Sequence, residues 1–327
     1  MAWSLSVLLF SAALFCFVAL QASHAFQHQE EQRRVFGGTI AEEGAYPWLG
    51  ALYYKSSADY RVSDFHLCGG SLVSSRHVLT AAHCIYDNEG KVEKADRLAV
   101  LFNVLSTNIT QGEARGLTGQ NFDVLRIIPY PEYDTDFYTG DYAILELDGE
   151  VEGITPIQLD NTENSDDWAG ETLKFAGWGL SDYGGVIHYS KVLLENDLQG
   201  QPFEDCMDAL YGDASDGYAE VYREWIICGV DNPVWAGLGS GDSGGPLFFN
   251  SDPPLLIGVS SWGVDVYHDD GSELAGSYPN AWAYVATVRE WILEQTGQED
   301  DGSSTDGSSG DGGDGSAASH LNALSFL

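Results

Sequence analysis

Three short motifs constrain this chain more than any other feature of its sequence. In chain order they are Thr-Ala-Ala-His-Cys at residues 80–84, Gly-Asp-Tyr-Ala-Ile-Leu at residues 140–145 and Gly-Asp-Ser-Gly-Gly-Pro at residues 241–246. They contain His83, Asp141 and Ser243. A nucleophilic serine needs a base to take its proton, and that base needs an anion to hold its tautomer and orientation. The motifs therefore predict a fold that brings His83, Asp141 and Ser243 together.

The N-terminus has the features of a secretory signal peptide. An apolar run covers residues 5–20, and Ser23-His24-Ala25 offers a small-x-small cleavage site, although no basic region precedes the run. A transmembrane anchor is the alternative, but the run is short for one. We therefore predict a signal peptide over residues 1–25, a secreted, extracellular protein and no membrane anchor.

Cysteine usage agrees with secretion. Of the five cysteines, Cys16 lies in the predicted signal peptide, and its removal leaves four, which allow three pairings. In an oxidising compartment these four should pair, and proximity in the sequence favours Cys68–Cys84 and Cys206–Cys228. Metal binding is the alternative, but no CxxC spacing supports it, so we predict no metal site.

The charge balance excludes one class of partner. The chain carries 50 acidic and 14 basic residues, for a formal net charge of −36. Such a field repels nucleic acid and anionic membranes and attracts cationic partners. We interpret the charge mainly as a source of solubility, and we predict no nucleic-acid partner.

Composition divides the 327 residues into four segments. Residues 26–34 are polar without a core pattern and are interpreted as a pro-segment. Residues 35–297 form the folded domain, and residues 298–327 form an acidic Gly/Ser/Asp tail that cannot bury enough surface to order itself. The last seven residues are mildly apolar, but they are too few for a lipid-anchor signal.

Within residues 35–297 the pattern is that of a β protein. Short apolar runs alternate with Gly, Asn, Asp and Pro turns, which is typical of a sandwich or barrel. The spacing predicts one helix, over Val285–Gln295, which Gly297 would end. The predicted strands include Trp48–Tyr54, Gly70–Val73, His77–Ala81, Leu98–Val104, Ala143–Leu147, Leu173–Trp178, Leu255–Val259 and part of Leu274–Tyr284.

Three further segments accompany the three motifs: Arg34-Val35-Phe36-Gly37-Gly38, Phe175-Ala176-Gly177-Trp178-Gly179 and Ser261-Trp262-Gly263. In content and order, the six segments resemble the chymotrypsin/trypsin family of serine endopeptidases across about residues 35–297. The order His…Asp…Ser differs from that of subtilisins and α/β-hydrolases. The resemblance implies an all-β fold of two six-stranded antiparallel β-barrels with a C-terminal α-helix, and an active site between the barrels.

The resemblance also implies a role for each residue. Ser243 would be the nucleophile, His83 the general base and then general acid, and Asp141 the orienting anion. The backbone N–H groups of Gly241 and Ser243 would stabilise the oxyanion. Ser261 would donate a hydrogen bond to Asp141.

A zymogen is implied by the segment around Arg34. In the family, cleavage exposes a new α-amino group that pairs with the aspartate before the nucleophile, which here would join Val35 to Asp242. Phe36 departs from the usual aliphatic second residue. Because Arg33-Arg34 is dibasic, the activating protease could be trypsin-like or a dibasic convertase.

The specificity pocket departs from trypsin. Where trypsin would have an aspartate at the pocket floor, the chain has Gly237, and Gly239 replaces a cysteine that normally braces the pocket, whose partner is missing too. An uncharged pocket predicts cleavage after apolar or aromatic residues, because a cation would enter it at a desolvation cost. An acidic residue of Val264–Gly276 reaching the pocket entrance is the alternative. The other predicted pocket residues are Leu238, Ser261, Trp262, Gly263 and Asn280.

The sequence thus predicts a secreted, monomeric serine endopeptidase without a cofactor. Its predicted partners are protein or peptide substrates, an activating protease and protein inhibitors. Asn108-Ile109-Thr110 is a glycosylation sequon, with Asn108 as the acceptor. Two alternatives stay open: a non-catalytic homologue that binds partners in a cascade, and a regulatory protease held inactive until it is cleaved at Arg34.

Overall fold

The computed structural model describes residues 38–87, 89–183, 186–212, 215–230, 238–263, 266–267, 273–274 and 279–299. The predicted signal peptide and pro-segment lie outside the described residues, as does the predicted tail beyond residue 299. Arg34, Val35 and Gly237 also lie outside them. The boundaries of the four predicted segments therefore stay predictions.

The first half of the domain is a closed antiparallel barrel of six strands. Its strands are Leu49–Tyr54 (β2), His66–Ser74 (β3), His77–Thr80 (β4), Leu98–Phe102 (β5), Asn121–Pro129 (β6) and Ala143–Leu147 (β7). Going around the barrel, the strand order is β2-β3-β4-β7-β6-β5, and β5 pairs with β2 to close the ring.

The second half is also a ring of six antiparallel strands. Its strands are Thr172–Gly177 (β9), Leu194–Gln201 (β12), Ile226–Val230 (β13), Pro246–Phe249 (β14), Leu255–Gly263 (β15) and Asn280–Tyr284 (β18). Going around the ring, the strand order is β9-β12-β13-β18-β15-β14, and β14 pairs with β9 to close it. The predicted architecture of two six-stranded barrels is confirmed.

Short strands extend the barrels. Thr39–Ile40 (β1) pairs with β12, and Gln158–Leu159 (β8) runs parallel to β15. Leu180–Tyr183 (β10) and Val186–Tyr189 (β11) form a two-stranded hairpin in which Leu180 lies opposite Tyr189. A second small pair joins Val266–Tyr267 (β16) to Glu273–Leu274 (β17).

In the described part of the chain, four α-helices lie outside the barrels: Gln111–Gly116 (α1), Phe203–Tyr211 (α2), Ser215–Tyr222 (α3) and Arg289–Thr296 (α4). The predicted C-terminal helix is confirmed. It begins as a 3₁₀ turn over Val285–Val288, continues as α4 and ends at Gly297, which adopts a left-handed conformation. No helix within the described ranges is both long and apolar enough to cross a bilayer.

One hydrophobic cluster spans both barrels and fixes their relation. Phe248 on β14 packs edge-on against Tyr46 and Trp48, which lead into β2 of the first barrel, with ring centroids 5.0 and 5.1 Å away. Phe248 is fully buried and belongs to the same cluster as Leu72 and Ile144 of the first barrel. Because the functional motifs are divided between the two barrels, this packing also sets the distance between them.

Truncation of Phe248 should therefore leave a cavity between the barrels. We expect Phe248→Ala to lower the free energy of unfolding by about 4 kcal/mol, the usual cost of removing a buried aromatic ring. Leu125→Ala is the matched control, because 57% of Leu125 is exposed, and it should change stability by less than about 0.5 kcal/mol. Urea unfolding followed by tryptophan fluorescence measures both values, and equal effects would contradict the role assigned to Phe248.

Candidate active site

The buried Asp141 carboxylate and the partly exposed His83 imidazole form a pair at the edge of the first barrel. Asp141 lies two residues before the start of β7, and His83 lies in a 3₁₀ turn after β4. Asp141 Oδ2 is 2.7 Å from His83 Nδ1, and Asp141 Oδ1 accepts a hydrogen bond of 2.8 Å from the His83 backbone N–H. Two contacts between the same residues fix both the position of the turn and the tilt of the ring.

A third donor reaches Asp141 from the second barrel. Ser261 Oγ on β15 donates a hydrogen bond of 2.6 Å to Asp141 Oδ2, as the resemblance implied. Asp141 is fully buried, and an ionised carboxylate is stable there only when hydrogen bonds replace its lost water. The contact therefore ties β15 to the first barrel at a buried charge.

The electrostatic environment of His83 favours its protonated form. Burial lowers the pKa of His83, but the charge of Asp141 and the hydrogen bond to it raise the pKa more, and the net direction is upward. An imidazole that gains a proton next to a fixed carboxylate is suited to act as a general base.

The segment around Ser243 packs directly on the histidine segment. Gly69 of β3 donates its N–H to the Ser243 carbonyl oxygen at 2.7 Å, and the disulfide Cys68–Cys84 joins β3 to the turn that carries His83. A Cβ added to Gly244 would lie 2.1 Å from Thr80 Oγ1, so only glycine fits there. The serine motif is thus hydrogen-bonded to β3, which the disulfide joins to the histidine turn.

Ser243 is partly exposed. Ser243 and His83 both belong to the described residues, and no hydrogen bond joins the Ser243 hydroxyl to the His83 ring. This does not argue against a nucleophile and base, because such bonds are often long before substrate binds. Among the described residues, no acceptor bonds the backbone N–H groups of Gly241 and Ser243. Neither predicted oxyanion donor is therefore bonded to an acceptor in the described part of the chain.

The Asp242 side chain contacts the segment at the end of β9 in the second barrel. Its carboxylate is buried and accepts hydrogen bonds from the backbone N–H groups of Gly179 (2.8 Å) and Gly239 (3.0 Å). Burial raises the pKa of Asp242 to about 7, against the lowering effect of these two bonds. Cβ atoms at Gly177 and Gly179 would approach its oxygens within 2.3 Å, which explains both glycines of the Gly-Trp-Gly segment.

His66 is a site residue that the sequence analysis missed. It is two positions before Cys68 on β3, and its Nε2 is 2.9 Å from the Gly241 carbonyl oxygen. Its Nδ1 is buried and has no hydrogen-bond partner among the described residues. Burial lowers the pKa of His66 to about 4, so the ring is neutral at pH 7 and Nε2–H donates to Gly241. Only its distance from Gly241 in three dimensions identifies it.

In the described part of the predicted pocket, the Asn280 side chain lies close to Gly263. Asn280 lies opposite Gly263 in the β15–β18 pairing, and a Cβ on Gly263 would lie only 2.6 Å from Asn280 Oδ1. The same oxygen accepts a hydrogen bond of 3.3 Å from Leu238 N–H. The Asn280 amide therefore lies between Gly263 and Leu238. Gly237 lies outside the described residues, and of Val264–Gly276 only the short strands β16 and β17 are described.

Two further contacts surround His83. The ring of Tyr138 lies edge-on to the His83 imidazole, with the two ring centroids 5.8 Å apart. Tyr138 is partly exposed, and its backbone has a positive φ of 58°. Cys68, His83 and Cys84 bring three potential metal-ligand atoms within 4.8 Å of one another. Both sulfurs are joined in the disulfide, so neither is a thiolate that could bind a metal.

The buried neutral His66 makes stability depend on pH. Its folded-state pKa of about 4 lies below the ordinary 6.5, so the folded state binds its proton less readily and loses stability as pH falls from 6.5 to 4. Relative to His66→Gln, the native protein should lose up to about 3 kcal/mol over this range. Urea unfolding at pH 7, 5.5 and 4 measures the difference in free energy of unfolding between the two proteins. The contributions of all other titrating groups cancel in this difference. Parallel stability curves would contradict the assignment.

Comparisons with known proteins agree with this geometry. The family model described as Trypsin matches residues 35–292. Brachyurin from Leptuca pugilator is 31% identical over 264 residues, which cover 80% of this chain and 99% of brachyurin. Proclotting enzyme from Tachypleus tridentatus is 30% identical over 274 residues, which cover 82% of this chain and 67% of that protein.

A solved structure shows the same fold. The VesB protease of Vibrio cholerae superimposes with a TM-score of 0.57 at 24% sequence identity, over 80% of this chain and 68% of the other. At that identity the likeness concerns the fold alone. The family match over most of the chain carries the assignment: this chain belongs to the trypsin family of serine endopeptidases.

Proposed function

We propose that the chain is a catalytically active, secreted serine endopeptidase that is made as a zymogen. One observation carries the proposal. The buried Asp141 carboxylate holds the His83 ring, and a disulfide joins the histidine turn to β3. The backbone of β3 is hydrogen-bonded to the serine turn, whose two oxyanion donors have no acceptor among the described residues. A non-catalytic homologue would have no need for this combination.

In the proposed acylation step, Ser243 Oγ attacks the carbonyl carbon of the scissile peptide bond while His83 Nε2 takes its proton. The carbonyl oxygen becomes an oxyanion and receives hydrogen bonds from Gly241 N–H and Ser243 N–H. The C–N bond then breaks, His83 gives the proton to the leaving amine, and an acyl ester remains on Ser243.

Deacylation repeats the sequence with water. His83 takes a proton from the water, whose oxygen attacks the ester carbon, and the proton returns to Ser243 Oγ as the acid product leaves. Asp141 keeps Nδ1 protonated in both steps and stabilises the imidazolium ion. Ser261 supports this role, because its hydroxyl bond holds the Asp141 carboxylate in place.

We further propose activation by cleavage after Arg34. Burial raises the pKa of Asp242, and among the described residues no cation pairs with its carboxylate. The α-amino group of Val35, once released, would supply the charge and hold Asp242 and the adjacent Gly241 in register. The name of one relative, proclotting enzyme, denotes a precursor and is consistent with a zymogen.

Secretion, partners and glycosylation complete the proposal. Two disulfides favour an oxidising compartment. Asn108 is exposed, as a glycosylated residue must be. The proposed partners are protein or peptide substrates, an activating protease and protein inhibitors, and the proposed state is a monomer.

For specificity we propose an uncharged pocket that favours apolar side chains. Leu238 and the Asn280 amide offer no negative charge to an arginine or lysine. The Asn280 side chain beside Gly263 leaves less room in the pocket for a substrate side chain. Small apolar substrate residues should therefore fit better than large aromatic ones. This refines the expectation of apolar or aromatic cleavage.

Ser243→Ala tests the catalytic proposal. The protein cleaved after Arg34 should hydrolyse members of a peptide library after apolar residues, and Ser243→Ala should reduce kcat/KM by on the order of 10⁶-fold, to background. Mass spectrometry of the library products gives both the rate and the cleavage position.

Two controls accompany this experiment. Ser57→Ala changes an exposed serine far from the pair and should retain full activity. Arg34→Gln should block activation and leave the protein inactive with the same library. Absence of Ser243-dependent cleavage in the processed protein would favour the non-catalytic alternative, and cleavage after Arg or Lys would contradict the uncharged pocket.

Asn280→Gly tests the pocket. Removing the amide should widen the space beside Gly263, so kcat/KM for substrates with Phe or Tyr before the scissile bond should rise about 10-fold relative to Ala or Val substrates. Asn103→Gly is the matched control, since Asn103 is exposed at a positive φ that glycine also adopts. An unchanged ratio would show that Asn280 does not limit the pocket.

A further inference from the structure

The loop that carries Gly241 lacks the covalent brace that the family resemblance predicts. We call residues 238–242 the oxyanion loop. It contains Gly239 in place of a cysteine and a second glycine at 241, so its backbone has unusual freedom. A Cβ on Gly239 would lie 3.0 Å from the Leu180 carbonyl oxygen and 3.1 Å from the Leu180 nitrogen. The base of the β10–β11 hairpin thus occupies the space that a cysteine side chain would enter.

Leu180 also fixes the peptide group that supplies the oxyanion donor. Its backbone N–H donates a hydrogen bond of 2.9 Å to the Ser240 carbonyl oxygen. That oxygen and the Gly241 N–H belong to one planar trans peptide and point in opposite directions. Holding the Ser240 oxygen on one side therefore aims the Gly241 N–H at the other. On the far side of Gly241, His66 Nε2 holds the Gly241 carbonyl oxygen.

Tyr189 covers the same peptide from outside. It lies opposite Leu180 in the hairpin register, and its hydroxyl is 3.2 Å from Ser240 Oγ. A Cβ on Gly241 would be 3.0 Å from Tyr189 Cε1 and 3.2 Å from Cδ1, so the ring lies against the Gly241 Cα. Although 46% of the residue is exposed, the ring blocks one direction in which the Ser240–Gly241 peptide could rotate.

We propose that the base of the β10–β11 hairpin, Leu180 with Tyr189, is a non-covalent clamp that positions the Gly241 N–H for the oxyanion. Leu180 acts through a backbone bond and Tyr189 through its ring and hydroxyl. Tyr189 is therefore a positioning residue, and it replaces part of the constraint that a disulfide at residue 239 would give. The inference rests on the proposed catalytic function of Ser243 and Gly241.

Substitutions of Tyr189 test the clamp in the protein cleaved after Arg34. The oxyanion exists in the transition state and not in the bound substrate, so Tyr189→Ala should lower kcat about 10-fold and change KM less than twofold. Loss of a donor altogether costs about 10²–10³ in kcat, and a loosened donor should cost less. Tyr189→Phe keeps the ring and should retain at least a third of the native kcat.

Two controls separate positioning from general stability. Tyr60→Ala removes another exposed tyrosine, which packs on Phe65 away from the site, and should leave kcat unchanged. A peptide boronate, whose adduct with Ser243 carries a tetrahedral oxyanion-like centre, should bind Tyr189→Ala more weakly by the same factor as kcat/KM falls. A rise in KM at constant kcat would overturn the proposal, because it would make Tyr189 a substrate contact.

Hydrogen exchange gives a readout that needs no turnover. In the Ser243→Ala background, amide exchange of residues 238–243 should be at least about 10-fold faster with Tyr189→Ala than without it, and unchanged with Tyr60→Ala. Unchanged exchange overturns the clamp whatever the kinetics. Faster exchange in a protein that shows no Ser243-dependent cleavage supports the clamp and rejects the proposed catalytic function instead.

Discussion

The buried carboxylate of Asp141 is the interaction on which the rest of the site depends. It accepts hydrogen bonds from the His83 ring, the His83 backbone and the Ser261 hydroxyl, which come from different elements and from both barrels. An unpaired charge at this depth would destabilise the fold strongly, so the three donors are required together. The stability of the fold and the orientation of the imidazole therefore have one physical origin.

Close backbone contact brings the second barrel to this charge. The serine turn lies against Gly69 and the segment from Thr80 to Ala81, where a side chain on Gly244 would collide with the hydroxyl of Thr80. The Gly244 and Gly245 backbones also exchange hydrogen bonds with Ser260, next to Ser261. Glycines in the serine motif thus serve the packing of two barrels as well as the chemistry of Ser243. The aromatic contacts of Phe248 hold the same interface from within the core.

Around Gly241, hydrogen bonds constrain the oxyanion loop, which in the family is often constrained by a disulfide. His66, Leu180 and Asp242 each bond a different group of the oxyanion loop, and they come from β3, from β10 and from the loop itself. A loop held by several weak contacts can be rearranged at lower cost than one held by a disulfide. This is the property that activation by a new α-amino group at Asp242 would require.

Much of this protein was determined by its sequence alone. The order of His83, Asp141 and Ser243, the pairing of neighbouring cysteines and the C-terminal helix follow from local motifs and patterns. The patterns alone left a sandwich or a barrel open, and the two-barrel class followed from the family resemblance. Among the barrel strands, β6, β12, β13 and β14 were not predicted, nor were helices α1 to α3, because their burial comes from neighbours distant in the chain. Only the tertiary structure brought His66, Leu180 and Tyr189 to Gly241, and put the Asn280 amide beside Gly263. Each of these contacts joins residues from separate segments of the chain. Their distances are set only when both barrels fold, and a local sequence pattern does not contain them.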